Sequence, residues 1–138
     1  MTLNADLIRA RCTEIEASLR RLEEIGRLPL DAFLADQDTL DIACYRLLVA
    51  IEAALSLCFH VSARRLRQAP EDYVSCFTVL EEAGVIPSDL GERLRHMARF
   101  RNLLVHVYWK IDYRQVHEIL RSRLADLRDF AGSIASLV

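Results

Sequence analysis

Residues that interrupt helices are scarce in this 138-residue chain, which has four glycines and three prolines. An all-β chain of similar length needs many more turn residues, so a strand-and-turn architecture is excluded as its main form. Lysine is almost missing, since of 18 cationic side chains only Lys110 is not an arginine. Against 20 acidic residues these leave a formal charge of -2 and a pI near 6.1. That balance excludes a globally basic nucleic-acid coat and leaves room for a local basic patch. The four cysteines, Cys12, Cys44, Cys58 and Cys76, contain no C-x-x-C pair, and His60, His96 and His117 are accompanied by neither an E-x-x-H pair nor clustered carboxylates. No metal site and no metal catalysis are therefore expected. A glycine-rich phosphate loop and a G-x-S-x-G elbow are also absent, which removes the usual bases for nucleotide hydrolysis and serine-hydrolase chemistry. No basic segment leads into an apolar run at the N-terminus, so no secretory signal is visible and the expected location is cytoplasmic. The cysteines sit mostly on apolar helical patterns and read as buried free thiols of a reducing compartment.

What is present is helical periodicity in a chain that is 52% hydrophobic and 28% charged. Asn4 is a good N-cap for a first helix whose apolar stripe is Ile8, Cys12, Ile15, Leu19, Leu22 and Ile25, ended by Gly26 and Pro29. Its far face sets Glu16 before Arg20 and Glu23 before Arg27 at the favourable i,i+4 spacing. A second helix starts between Asp31 and Asp41 and runs to about Arg67. Its middle, Ile42 to Val61, is nearly long enough to cross a bilayer at about 1.5 Å per residue. Arg46, Glu52 and His60 within it point instead to a core or dimer-interface helix, with no membrane span. Because it is apolar on nearly all sides, it needs neighbours all round, which points to a subunit contact. Pro70 opens a short third helix through Tyr73, Phe77 and Leu80 that closes at Gly84. Pro87, Ser88 and Asp89 open a fourth reaching at least Leu104. Asp112 and Gln115 have the spacing of a capping box, with Ile111 and Val116 as a hydrophobic staple, and start a last helix extending past Ile134. With no repeat and no second domain visible, the expectation is an all-α, up-and-down bundle of four long helices and one short one, spanning residues 1–138 as a single domain.

The fourth helix carries the unusual residues. At about 100° per residue, Leu90, Leu94, Met97, Leu104, Val105 and Tyr108 share one stripe, and Arg101 lies on it. A guanidinium facing a core keeps its proton, so it needs a carboxylate, a carbonyl cluster or a ligand anion. Two readings stand: a structural ion pair, for instance with Glu52, or an anion-binding group. The opposite stripe holds Arg95, Arg99, Asn102 and His106, with Arg93 and His96 beside it, and only Asp89 and Glu92 are available nearby to neutralise it. That face is either a solvated charged surface or an attractor of polyanions. Asn102 and His106 are i,i+4 neighbours, so the amide is placed to orient the imidazole. Arg101 and His106 lie about 140° and about 7.5 Å apart on an unbroken helix. Either the helix loosens near Leu104, or the arginine of one subunit meets the histidine of another.

The run Arg101-Asn102-Leu103-Leu104-Val105-His106-Val107-Tyr108 resembles the signature of the HEPN superfamily: an arginine followed by a polar residue, then a histidine after four intervening positions. The tyrosine two residues beyond the histidine is similar to that of the HepT-type toxins, whose partners are MntA-type nucleotidyltransferase antitoxins. Phe100, Trp109, the stretch Ala50 to Leu55 and the connection from Pro70 to Pro87 extend the likeness over most of the chain. The resemblance implies a metal-independent endoribonuclease with no cofactor, acting as a homodimer or a higher assembly, with the two motifs lining one cleft. Arg101 and His106 are then the catalytic pair, Asn102 supports them, and Arg95 and Arg99 track the RNA backbone. Tyr108 is implied as the acceptor of AMP from the antitoxin. Val107 departs from the pattern, since many relatives have glycine there. The rival from another class is a catalytically inert HEPN-like module that binds a nucleotidyltransferase, and a plain dimeric scaffold is a third reading.

Overall fold

The computed structural model describes residues 2–138, and every regular element in them is helical. Seven α-helices follow in order: α1 (Ala5–Gly26), α2 (Leu30–Ala35), α3 (Gln37–Arg64), α4 (Tyr73–Glu82), α5 (Ser88–His106), α6 (Tyr113–Ser122) and α7 (Leu124–Ala135), with a 3-10 turn over Tyr108–Lys110. The all-α class expected from the composition is what the chain adopts. The expected number of helices is corrected at two divisions: a short α2 precedes α3, whose start at Gln37 falls inside the expected window of Asp31 to Asp41, and the predicted last helix is split.

The first division is at Asp36, whose extended backbone separates α2 from α3 and whose side chain caps α3 at the Asp38 N–H, 3.1 Å away. The second is at Arg123, where φ is -120° and the predicted last helix becomes α6 and α7. Neither glycine nor proline marks that site. The Ser122 hydroxyl donates to the Glu118 carbonyl at 2.8 Å, and the Arg123 N–H still donates to the Ile119 carbonyl at 2.9 Å.

Elsewhere the caps explain the boundaries. The Asn4 side chain accepts from the Leu7 N–H at 3.1 Å. Helix α4 starts at Tyr73, capped by Asp72 on the Ser75 N–H at 2.7 Å, so Pro70 precedes the helix rather than opening it. Its end is a Schellman arrangement: Gly84, at φ +76°, donates to the Glu81 carbonyl and Val85 to that of Leu80. Asp112 caps α6 at the Arg114 N–H, 3.0 Å, rather than at Gln115.

Helix α3 is the centre of the molecule, touching every other α-helix. Its own chain therefore supplies much of the burial that the sequence assigned to a second subunit, and Leu47, Ala50, Ile51, Ala54, Leu57 and Cys58 are buried. By length and composition α3 passes for a membrane span, yet half of its most apolar window is buried in the fold. Ile42 and Tyr45 remain exposed. On α1 the expected pairing of Glu16 with Arg20 forms at 3.5 Å, while Glu23 turns to Arg128 of α7, which also binds Glu16. Arg128 accordingly holds the Glu16 carboxyl below its ordinary range.

The expectation of four free thiols is corrected as well. Cys58 of α3 and Cys76 of α4 form a disulfide across a Cα–Cα distance of 6.2 Å. Both cysteines lie on the faces with which these helices pack, a proximity that spacing along the chain does not reveal. Cys12 and Cys44 are free, and burial together with Asp41 pushes the Cys44 thiol up to about 11.

Candidate active site at the end of helix α5

Leu90, Leu94, Met97 and Leu104 point α5 into the core as expected, and Arg101 comes with them at 9% exposure. Three groups hold its guanidinium. Nε donates to Glu52 Oε1 on α3, Nη1 donates to Asn102 Oδ1 at 3.2 Å, and the guanidinium carbon lies 4.3 Å from the centre of the Tyr73 ring on α4. The ion pair with Glu52 proposed on charge grounds is therefore present, and Tyr73 adds a cation–π contact. Nothing in the sequence singled out Tyr73, because its approach depends on how α4 packs across α3 and α5. The Glu52 side chain is 43% exposed, so the pair opens to solvent on the carboxylate side. A groove of about 380 Å³ lined by Arg11, Glu14, Leu48 and Ser56 runs up to Glu52.

His106 is the last residue of α5 and is exposed, with no hydrogen bond to its ring among the described residues. Asn102 forms no hydrogen bond to it, and its amide oxygen accepts from Arg101. The helix stays regular through Leu104, so of the two alternatives the loosening there does not occur, and the two motif residues stand on different sides of one helix. The break comes at Val107, where φ is -135° and ψ is 45°. There the backbone leaves the helix for the 3-10 turn, closed by the Lys110 N–H on the Val107 carbonyl at 2.8 Å. Tyr108 consequently leaves the core stripe on which helical projection had placed it, and Val105, still helical at the edge of that stripe, is exposed as well. Tyr108 is 67% exposed and Trp109 is 69% exposed, their rings edge to face at 5.4 Å.

The cationic face is less free than local sequence suggested. Arg95 is paired with Glu81 of α4 at 2.7 Å, and Arg93 with Asp126 of α7 at 2.8 Å and Asp89 at 3.3 Å. Glu81 and Asp126 come from other helices, which the sequence around the cluster does not reveal. Arg99 is exposed and forms no ion pair among the described residues. Those residues also contain no group of three His, Cys, Asp or Glu side chains placed to hold a metal.

The model of a family described as ribonuclease HepT-like matches residues 15–134. The chain belongs to the HepT-like family. Among similar proteins, the mRNA nuclease HepT of Shewanella oneidensis is 22% identical over 129 residues, which cover 94% of this chain and 96% of that one. A solved structure of a tri-AMPylated Shewanella oneidensis HEPN toxin in complex with MNT antitoxin matches with a TM-score of 0.87 at 22% identity, covering 95% of this chain and 98% of the other. The cytosolic protein YutE of Bacillus subtilis, of unknown function, shares the fold more distantly, with a TM-score of 0.75 at 15% identity over 94% of this chain and 89% of its own. Within this HepT-like chain the motif residues thus occupy the end of one helix, with the guanidinium fixed inside and the imidazole and phenol outside.

Proposed function

We propose that this chain is a metal-independent endoribonuclease toxin, a single domain over residues 1–138 that acts as a cytoplasmic homodimer. The observation that carries the reading is the combination, in a HepT-like chain, of a guanidinium held in place by Glu52, Asn102 and Tyr73 with an unpaired imidazole five residues further along. A fixed, permanently charged fork suits the non-bridging oxygens of a phosphodiester, and reorganisation is avoided because its orientation is set beforehand. An exposed imidazole suits proton transfer near neutral pH. In the reaction His106 accepts the proton of a ribose 2′-hydroxyl. The O2′–P bond forms while the P–O5′ bond breaks, leaving a 2′,3′-cyclic phosphate and a 5′-hydroxyl end that takes up a proton. Arg101 neutralises the charge gathering on the phosphorane oxygens, and Asn102 supports Arg101. Arg99 guides the RNA backbone, and Arg95 joins it only where RNA displaces Glu81.

The regularity of α5 favours a site completed by a second copy, since one straight helix keeps Arg101 and His106 apart. Silencing follows from AMP transfer to Tyr108 by an MntA-like nucleotidyltransferase. The phenol oxygen attacks the α-phosphorus of ATP, pyrophosphate leaves and the phenol proton is released. The exposure of Tyr108 on its turn supports this role, and the added phosphodiester repels RNA next to His106. The inert-module reading is separated by one assay. Purified protein is expected to cut single-stranded RNA in the presence of a chelator, and His106→Ala to lower the rate about 10²- to 10⁴-fold with the far-UV helical signal intact. Equal cutting by both proteins refutes the catalytic assignment, and no cutting by the wild type favours the binding module.

A further inference from the structure

Trp109 is the only tryptophan of the chain, and the fold leaves 69% of it open on the turn that also bears Tyr108. Burying such a ring is worth more than burying almost any other side chain, so an exposed one at the edge of a candidate site calls for an occupant. Its surroundings narrow the choice. Between Glu92 and Asp112 the chain contains no acidic residue, while Arg99, His106 and Lys110 are exposed there. Single-stranded nucleic-acid surfaces combine cations with open aromatic rings in this way. The edge-to-face contact with Tyr108 at 5.4 Å and 81° steadies the indole. We propose that Trp109 is a nucleobase-stacking platform that takes an unpaired RNA base beside the scissile phosphodiester. The inference rests on the ribonuclease reading and adds to it a base-stacking contact with little sequence preference, because every base offers a π face. Adenine carried by an AMP group on Tyr108 has the same chemistry and would compete for the same ring.

Because the chain has a single tryptophan, its emission, excited at the red edge where the four tyrosines do not absorb, reports this position alone. The protein is used as the full-length His106→Ala variant, so that RNA stays intact. Three probes are titrated: a single-stranded oligoribonucleotide, an abasic ribose-phosphate oligomer of equal length, and free AMP. Saturable quenching is expected from the base-bearing RNA and none from the abasic oligomer. In binding measured by anisotropy of labelled RNA, Trp109→Ala should weaken affinity about tenfold and Trp109→Phe should keep most of it. In the otherwise wild-type protein Trp109→Ala should raise KM for cleavage with little change in kcat. Equal responses to abasic and base-bearing RNA, or unchanged affinity in Trp109→Ala, overturn the proposal. Quenching by AMP without quenching by RNA overturns the RNA source. An emission change that follows protein concentration alone assigns the ring to a contact between copies and also overturns it. Wild-type protein that cuts RNA while its tryptophan stays silent refutes the platform and keeps the ribonuclease. Quenching without cutting does the reverse.

Discussion

Mixing two inactive variants should restore activity if the site is shared between subunits. Helix α5 is unbroken from Ser88 to His106, so Arg101 and His106 are separated by about 7.5 Å along the axis and about 140° around it. Arg101 is further tied inward by Glu52 and Tyr73, while His106 projects outward. A two-fold dimer that pairs the arginine of one copy with the histidine of the other has two such sites. In a mixed dimer of Arg101→Ala with His106→Ala, one site loses both groups and the other keeps both. Random pairing of equal amounts makes about half the dimers mixed, each with one intact site of two, so about a quarter of wild-type cleavage should return. Purified mixed dimers, isolated through two different tags after co-expression, should show about half. The assay is cleavage of a fluorophore–quencher oligoribonucleotide with each variant alone as the blank. If purified mixed dimers are as inactive as either parent while wild-type dimers cut, both groups must act within one chain and the reasoning from helix geometry is wrong.

Three further outcomes follow from individual contacts. Glu52→Ala leaves a nine-tenths-buried guanidinium without its carboxylate, and since Glu52 itself is half open to water the cost should be about 1–2 kcal/mol in urea unfolding; an unchanged midpoint would contradict the role given to the pair. Tyr108→Phe should take up no AMP from a cognate nucleotidyltransferase and ATP, with intact-protein mass spectrometry as the readout, and modification persisting in that variant would place the acceptor elsewhere. His60 accepts the Asn4 N–H at 2.9 Å, and burial followed by the nearby Arg64 holds its imidazole below the ordinary value of 6.5. The folded state prefers the neutral ring, so this tie contributes fully above pH 6.5 and is lost as pH falls through the lower folded value. Amide exchange at the start of α1, corrected for intrinsic rates, should therefore rise between pH 7 and 5, and His60→Gln should be flat over that range.

The parts of the fold readable from sequence were those decided locally. Asn4, Pro87 and Gly84 mark helix ends because caps and left-handed backbone are properties of a few adjacent residues. The division at Arg123 was hidden because neither glycine nor proline stands there and the apolar stripe continues past it through Leu127 and Phe130. Glu23 turning from Arg27 to Arg128, and Cys58 meeting Cys76, are contacts between helices that periodicity along one helix cannot show.

For the site, residue identities were legible and their relations were not. Arg101 on the core stripe demanded a counter-charge, and Glu52 was found because it is the one acidic residue in the apolar middle of α3. Extrapolating the helix to Tyr108 failed at Val107, where the backbone turns by a conformation that no local breaker announces. That turn separates two requirements that a continued helix would have merged. On the proposed reading Arg101 binds phosphate, and such a guanidinium works best when its orientation is fixed and water is largely excluded, conditions that its burial against Tyr73 meets. A group that receives AMP must instead be reached by another enzyme's active site, which is incompatible with a place in the core stripe. Ending α5 at His106 lets Arg101 remain inside while Tyr108 and Trp109, two and three residues later, stand in solvent. An insertion that prolonged α5 by one turn past Val107 would carry Tyr108 back toward the core, and it should block AMP transfer more severely than it perturbs the fold.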